Sequence, residues 1–269
     1  TATSALCFGD TTPSPTSAAT EEFNSSGSVI TAGAWAAGTV FPTTIQDGAG
    51  AGSSTTSAIV YGWWDTAISN KANEYDGSSW TATSVMNTAR AVYQTGTGTQ
   101  TAALAASGYT TGATDATEEW NGSSWTSVTP MNTALTSCCG GGVQTSAILA
   151  QGTNAESYNG STWTAETAAP DTTFGGKGFS GQSETSGIWI GVTPNYNSTF
   201  TYNGSSWTDL GHTLVQGKTT PAGGSQQGTT TAALVAGGFN PAPAITTASQ
   251  IYDGSAWATA PSLGTGRRG

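Results

Sequence analysis

The chain has 269 residues, enough for one large all-β domain or two small ones. Only 8% of its residues are charged, and 16 acidic side chains against six Lys and Arg leave a net charge of −10. With no basic stripe to neutralise phosphates, and no apolar run long enough to cross a bilayer as a helix, the composition argues against nucleic acid, anionic lipid and membrane insertion. Ten Trp, eight Tyr and seven Phe, placed at regular intervals, argue against disorder in a chain otherwise rich in small polar residues.

Thr1 to Asp10 hold no initiator Met and no basic leader region, so the chain reads as a processed product or a piece of a longer protein. They do hold an apolar run, Thr3 to Gly9, followed by a worn turn, Phe23-Asn24-Ser25-Ser26-Gly27. That pairing then recurs. Apolar Ser57 to Gly62 precedes Tyr75-Asp76-Gly77-Ser78-Ser79-Trp80, and Thr101 to Ala106 precedes Trp120-Asn121-Gly122-Ser123-Ser124-Trp125. Ser146 to Ala150 precedes Tyr158 to Trp163, Ser186 to Gly191 precedes Tyr202 to Trp207, and Thr231 to Gly238 precedes Tyr252 to Trp257. The leading aromatics are 52, 45, 38, 44 and 50 residues apart, the period of a propeller or a solenoid.

Each motif predicts a hairpin. Asn-Gly and Asp-Gly readily take positive φ at both central positions, as a type I′ turn requires, and the flanking rings pack across the two strands. The upstream runs are apolar on both faces, as strands covered on both sides are. Polar, Gly-rich stretches such as Ala89 to Thr97 and Cys139 to Gln144 have the length of one further, innermost strand. Four strands per unit and six units predict an all-β fold: a six-bladed β-propeller of four-stranded antiparallel blades, a single domain over residues 1–269. The chain starts at an apolar second strand and stops at Leu263 to Arg268, which corresponds to Met86 to Arg90, just before an inner strand. One inner strand is therefore expected to be missing. Either the first blade has three strands, or residues beyond Gly269 complete it.

An apolar strand ending in Gly-Gly, then an aromatic followed by Asn or Asp, then Trp five residues on, resembles a Kelch repeat. Ala232 to Gly238 with Tyr252 and Trp257 fit best, while Ser107-Gly108, Gln151-Gly152 and Gly191-Val192 depart from the Gly-Gly. Phrases such as Thr117-Glu118-Glu119-Trp120-Asn121-Gly122-Ser123-Ser124-Trp125 and Met86-Asn87-Thr88-Ala89-Arg90 resemble the Thr/Gly-rich, Kelch-like repeat proteins of marine bacteriophages. The resemblance implies a propeller fold and a place on a virion.

Residues able to carry chemistry are scarce. His212 is the one histidine and reads as a solvated loop residue, so no metal and no cofactor are expected. The copper oxidases built on the Kelch fold need several His and Tyr ligands, and sialidases need an arginine cluster that three Arg, two at the tail, cannot form. Cys7, Cys138 and Cys139 read as buried thiols, or as a vicinal or cross-blade disulfide. Glu21-Glu22, Glu74, Glu118-Glu119 and Glu156 fall at one place in the repeat, which suggests a structural role over that of a glycosidase pair. Asp65, Asp115 and Asp171 reproduce no calcium loop. Asn24, Asn121, Asn159, Asn197 and Asn203 fit the glycosylation sequon, four of them as part of the hairpin motif, so turn geometry explains those four.

Length variation is concentrated in the loop after the second strand and in the connection between blades, which share one face of a four-stranded blade. Those loops carry Trp63, Trp64, Tyr109, Tyr196 and Phe239, the candidate partner-binding residues. The expected function is a non-catalytic binding or structural propeller, extracellular or on a virion exterior or tail. Its expected partners are host surfaces, other virion or cell-surface proteins, or glycans, with multiple copies in an assembly. An exported bacterial adhesin or carbohydrate-binding module is the first alternative, and a polysaccharide glycosidase or lyase the second.

Overall fold

The computed structural model describes residues 4–11, 16–24, 34–92, 96–170, 178–192, 196–218, 223–224, 229–240 and 244–267. Among them every regular element is a strand. The first sheet has three strands, β1 (Ser4–Thr11), β2 (Thr16–Asn24) and β3 (Ala34–Ala37), in that order. Five antiparallel sheets of four strands follow. They are β4 (Ala49–Ser54), β5 (Ser57–Tyr61), β6 (Ala72–Tyr75) and β7 (Trp80–Ala82); then β8 (Gly96–Thr99), β9 (Ala102–Ala106), β10 (Thr117–Trp120) and β11 (Trp125–Ser127). Next come β12 (Cys139–Val143), β13 (Ser146–Gln151), β14 (Asn154–Tyr158) and β15 (Trp163–Ala165); then β16 (Gly178–Ser183), β17 (Ser186–Val192), β18 (Ser198–Tyr202) and β19 (Trp207–Asp209). The last sheet holds β20 (Gly223–Gly224), β21 (Ala233–Ala236), β24 (Ser249–Tyr252) and β25 (Trp257–Ala260), with a small hairpin of β22 (Phe239–Asn240) and β23 (Ala244–Ile245) inserted between its second and third strands.

The expected order of inner strand, apolar strand, loop and hairpin holds in all five four-stranded sheets. The innermost strands β4, β8, β12, β16 and β20 lie next to one another in sequence around an axis, with β1 between β20 and β4. Of the expected stretch Ala89 to Thr97, however, only its end is strand; Ala89 to Val92 belong to the connection. The apolar second strands are buried along nearly their whole length, as in Ile59, Val60, Ile148, Leu149 and Leu234, because sheets press on both their faces.

The turn chemistry departs from the type I′ expectation. Tyr75 pairs with Trp80, leaving a four-residue loop in which only Gly77 takes positive φ, at 92°. The Asp76 carboxylate replaces the second left-handed residue: its Oδ1 accepts the N–H groups of Ser79 at 2.7 Å and Ser78 at 2.8 Å. Those same amides hold the Asp76 carboxyl well below the usual carboxylate range. Asn121, Asn159, Asn203 and Asp253 close their loops in the same way. Glycine is doubly required, since a Cβ on Gly77 would lie 2.7 Å from the Thr56 side chain in the neighbouring turn.

Neighbouring sheets are joined by a repeated polar latch. The connection leaving β7 lays its backbone on the next sheet, where the buried Glu118 carboxylate accepts the N–H of Asn87 at 2.6 Å and of Thr88 at 3.1 Å. Arg90, fully buried, donates to Glu118 at 2.6 Å and to the Ala105 carbonyl at 3.1 Å. The segment after β25 repeats this on the first sheet. Gly264 and Thr265 donate their N–H groups to Glu21, and Arg267 pairs with the same carboxylate. A buried ion pair thus ties the segment after the last strand to the first sheet. Around it, Trp35 donates to the Ser249 hydroxyl at 3.1 Å, and Phe23 packs with Ile251, Leu234 and Ala260.

Removing one partner of a buried pair strands the other charge, which costs on the order of 3–5 kcal/mol. Arg267→Ala is therefore expected to lower the stability measured by urea unfolding about as much as Arg90→Ala does. Its partner Glu21 is 246 residues away in sequence, so the loss reports closure of the ring.

Candidate functional site

The loops after the second strands and the connections between sheets do lie together. In the five four-stranded sheets a left-handed residue stands at or just past the end of the second strand: Gly62 (φ 60°), Ser107 (φ 63°), Gly152 (φ 60°), Gly191 (φ 83°) and Gly237 (φ 62°). Ser107 holds this conformation against its Cβ, and Asp47 and Tyr196, both at φ 57°, are the other non-glycine residues of that kind among the described residues. All three belong to these loops and connections. Among the described residues the strained non-glycine backbone lies on one face, and the Asx-closed turns lie on the opposite one.

Two residues past the left-handed position, an aromatic recurs. Trp64 exchanges backbone hydrogen bonds with Gln46 of the preceding connection at 2.8 and 2.9 Å, and Tyr109 does the same with Ala91 at 2.8 and 3.0 Å. Phe239 stands at the equivalent place and pairs with Ile245 in the inserted hairpin. Tyr196 lies in the corresponding loop of the β16–β19 sheet, its carbonyl accepting the Lys218 N–H at 2.8 Å. Each of the four is half-buried, so a ring edge or face is presented from a backbone that cross-bridges fix. In the β12–β15 sheet the loop shrinks to Gly152-Thr153 and carries no aromatic. The face is accordingly uneven, raised over four sheets and low over one.

Trp63 does not belong with them. It is 1% exposed, packed edge-on against Phe41 with centroids 5.4 Å apart and clustered with Ile45 and Val60. Consecutive side chains on extended backbone face opposite sides, and here Trp63 enters the core while Trp64 is half-buried. Beside it Asp65 meets exposed Lys71 at 3.0 Å. Burial raises the Asp65 carboxyl, but Lys71 and the N–H groups of Thr66 and Ala67 outweigh it and hold the group well below its usual range.

His212 also differs from expectation: its Nδ1 lies 2.7 Å from the Tyr252 hydroxyl, so the imidazole is bound to the neighbouring sheet instead of standing in solvent. Cys138 and Cys139 are buried thiols, and burial pushes Cys138 up to about 12. Six of the acidic residues sort into two rows. Glu21, Glu118 and Glu156 receive the backbone of the preceding connection. Glu22 and Glu119 accept the hydroxyls of Tyr75 and Tyr158 from the next sheet at 2.7 and 2.8 Å, and Glu166 accepts that of Tyr202 at 2.7 Å. Among the described residues no group of three His, Cys, Asp or Glu side chains gathers as a metal would require.

Beneath this face lies a residue that the sequence reading passed over. Lys218 occupies the Arg90 and Arg267 place, four residues after the buried Leu214 as Arg90 follows Met86 and Arg267 follows Leu263. Gln250 replaces the glutamate there, and the Lys218 ammonium, 1% exposed, donates to the carbonyls of Gly237 and Ala248, both at 2.7 Å. Desolvation lowers its pKa to about 8. The recurring spacing of an apolar residue and a base four positions later was the signal available for it.

No protein-family model matches the chain, and no curated protein does. Among solved structures it is similar to that of YjhT, with a TM-score of 0.63 at 12% identity, covering 84% of this chain and 86% of that one. The fold is a β-propeller. At that identity the likeness is one of architecture alone, and the five four-stranded sheets described above are its blades, against the six expected.

The depressed Lys218 pKa gives a pH dependence with a definite sign. Between about 8 and the ordinary lysine value of 10.5, the unfolded chain binds more protons than the folded one, so stability rises with pH across that window. Relative to Lys218→Met, which lacks the group, the wild-type protein is expected to gain stability from pH 8 to 9.5 in parallel urea titrations. Equal slopes for the two proteins would contradict it.

Proposed function

We propose that the chain is a non-catalytic binding propeller that meets its partner through the loop face. In this reading the three-stranded sheet is a sixth blade, the units are Kelch-like, and the module sits on a virion exterior or tail, contacting a host surface or other virion proteins. The observation that carries it is the recurrence of a half-buried aromatic at one backbone position, Trp64, Tyr109 and Phe239, on loops braced by cross-bridges. A constant frame with side chains varied at fixed stations is how a scaffold tunes recognition. The wide loops sit on that face alone, and the strained residues are there too.

Several features support absence of catalysis. Glu21, Glu118 and Glu156 are buried and occupied in joining blades, and Glu22, Glu119 and Glu166 hold the hydroxyls of neighbouring tyrosines. A hydrolase built from those carboxylates would have to give up the bonds that hold its ring together. The low charge and the phage-like phrasing support the virion setting, where many copies convert weak single contacts into avidity.

Binding of the purified protein to host cells and to a glycan array tests this. Trp64→Ala and Tyr109→Ala are each expected to lose about 2 kcal/mol of binding, roughly thirty-fold in Kd, while folding as wild type does. Trp63→Ala is expected instead to cost about 3–5 kcal/mol of stability through the cavity it leaves. Reproducible glycan hits without host specificity favour the carbohydrate-binding module. Turnover of a polysaccharide, abolished by a single Glu substitution, would sink the non-catalytic reading.

A further inference from the structure

We propose that the junction between the β12–β15 and β16–β19 sheets binds a calcium ion on the turn face, through the Glu184 carboxylate and the main-chain carbonyls of Ala147 and Tyr158. The two preceding junctions supply the comparison. In each, the turn between the innermost and second strands sends a glutamine back to the sheet before it. Gln100 accepts the Ser57 hydroxyl on Oε1 at 2.9 Å, and its Nε2 donates to the carbonyls of Tyr75 at 2.9 Å and Ala58 at 3.3 Å. Gln144 donates from Nε2 to the carbonyls of Trp120 at 2.6 Å and Ala103 at 3.0 Å. Ala58 pairs with Tyr75, and Ala103 with Trp120, across adjacent strands. Each amide thus fills a notch where two carbonyl oxygens converge.

The next junction repeats the notch and changes what enters it. Ala147 pairs with Tyr158 in the same way, and the turn residues Gln100-Thr101 and Gln144-Thr145 are matched there by Glu184-Thr185. Glu184 is half-buried and anchored as Gln100 is. Ser146, which holds the Ser57 place in its sheet, donates its hydroxyl to Oε2 and accepts the Glu184 N–H at 3.1 Å. That anchor sets the second carboxylate oxygen in the place of the amide nitrogen. A carboxylate brings no N–H, so an anionic oxygen meets two carbonyl oxygens, and their repulsion is relieved only by a positive charge among them. Among the described residues Lys71, Arg90, Lys218 and Arg267 are each engaged elsewhere, so none of these bases supplies it.

Three converging oxygens, one of them charged, form the donor set of a hard cation. Calcium takes backbone carbonyls beside carboxylates and completes its shell with water, which a half-buried junction admits, whereas magnesium demands a stricter octahedron. A single charged ligand places the dissociation constant on the order of 10⁻⁴ to 10⁻³ M. Bound there, the ion joins the turn to the preceding sheet, as the glutamine amides do at the other two junctions. The loop face lies at the opposite end of the blades and takes no part.

The test uses the whole chain, stripped with a chelator and titrated with calcium chloride or magnesium chloride at neutral pH. Calcium about tenfold above its Kd is expected to raise the Tm by roughly 3–5 °C, and magnesium by much less. Terbium(III), an oxygen-seeking ion of similar size, is expected to luminesce by energy transfer from the nearby tyrosine and tryptophan rings, and calcium to displace it. In Glu184→Gln both responses are expected to vanish. Its Tm without metal should match or exceed that of the stripped wild type, because an amide again meets the two carbonyls. Asp76→Asn, which removes an exposed carboxylate from a different turn, is expected to keep both responses. The proposal is overturned if Glu184→Gln responds to calcium as the wild type does, or if magnesium raises the wild-type Tm as much as calcium. It is overturned too if calcium has no effect and mild acid alone brings the stripped wild type level with Glu184→Gln, which makes the occupant a proton.

Discussion

The ring is held by a buried carboxylate that takes hold of the neighbouring connection. Glu118 and Glu21 each gather two backbone N–H groups and a guanidinium. Each blade has two apolar faces and must press both against neighbours, but apolar contact is non-directional and does not fix how far one sheet slides over the next. Charge-assisted bonds to the backbone do fix it, because they act at one point and one angle. Placing the latch near the second strand lets the loop above it be varied without disturbing the stack.

Two further junctions are variations on this theme. Where Glu156 receives Asn132 at 2.8 Å, the place of the arginine is taken by Leu135, which packs with Met131 and Cys138. Where Gln216 and Gln250 exchange hydrogen bonds, the base is Lys218 on two carbonyls. Ion pair, apolar contact and amide pair all serve. The common element is the backbone of the connection lying on a side chain of the next blade.

Much of this was legible in the sequence. The aromatic-Asx-Gly-Ser motif marks each hairpin, and the apolar runs mark each second strand, because both signals are local and repeat in register. What escaped depended on a single dihedral or on a distant partner. Trp63 and Trp64 are chemically identical neighbours, and which one enters the core depends on the backbone path after the left-handed Gly62. The turn looked like type I′ because Asn-Gly suits that geometry, yet the Asx side chain closes a longer loop. His212 read as a solvated residue since Tyr252, which holds it, stands 40 residues on. The acidic residues were placed correctly as a repeated row, but the row is two rows with separate acceptor duties, a distinction that needs the next blade to be seen.

The tyrosine row has an implication for how such a ring can change over generations. Tyr75, Tyr158 and Tyr202 each find a carboxylate on the preceding sheet or the connection leaving it, whereas Phe23, which has no hydroxyl, meets Ile251. Neighbours are therefore matched as lock and key, and their succession is written into the joints. Moving the Phe23 unit next to Glu22, Glu119 or Glu166 would set a carboxylate against a phenyl ring and take away its hydroxyl partner. Such a lineage can vary its rim freely, but it can reorder its spokes only by rewriting both sides of a seam together.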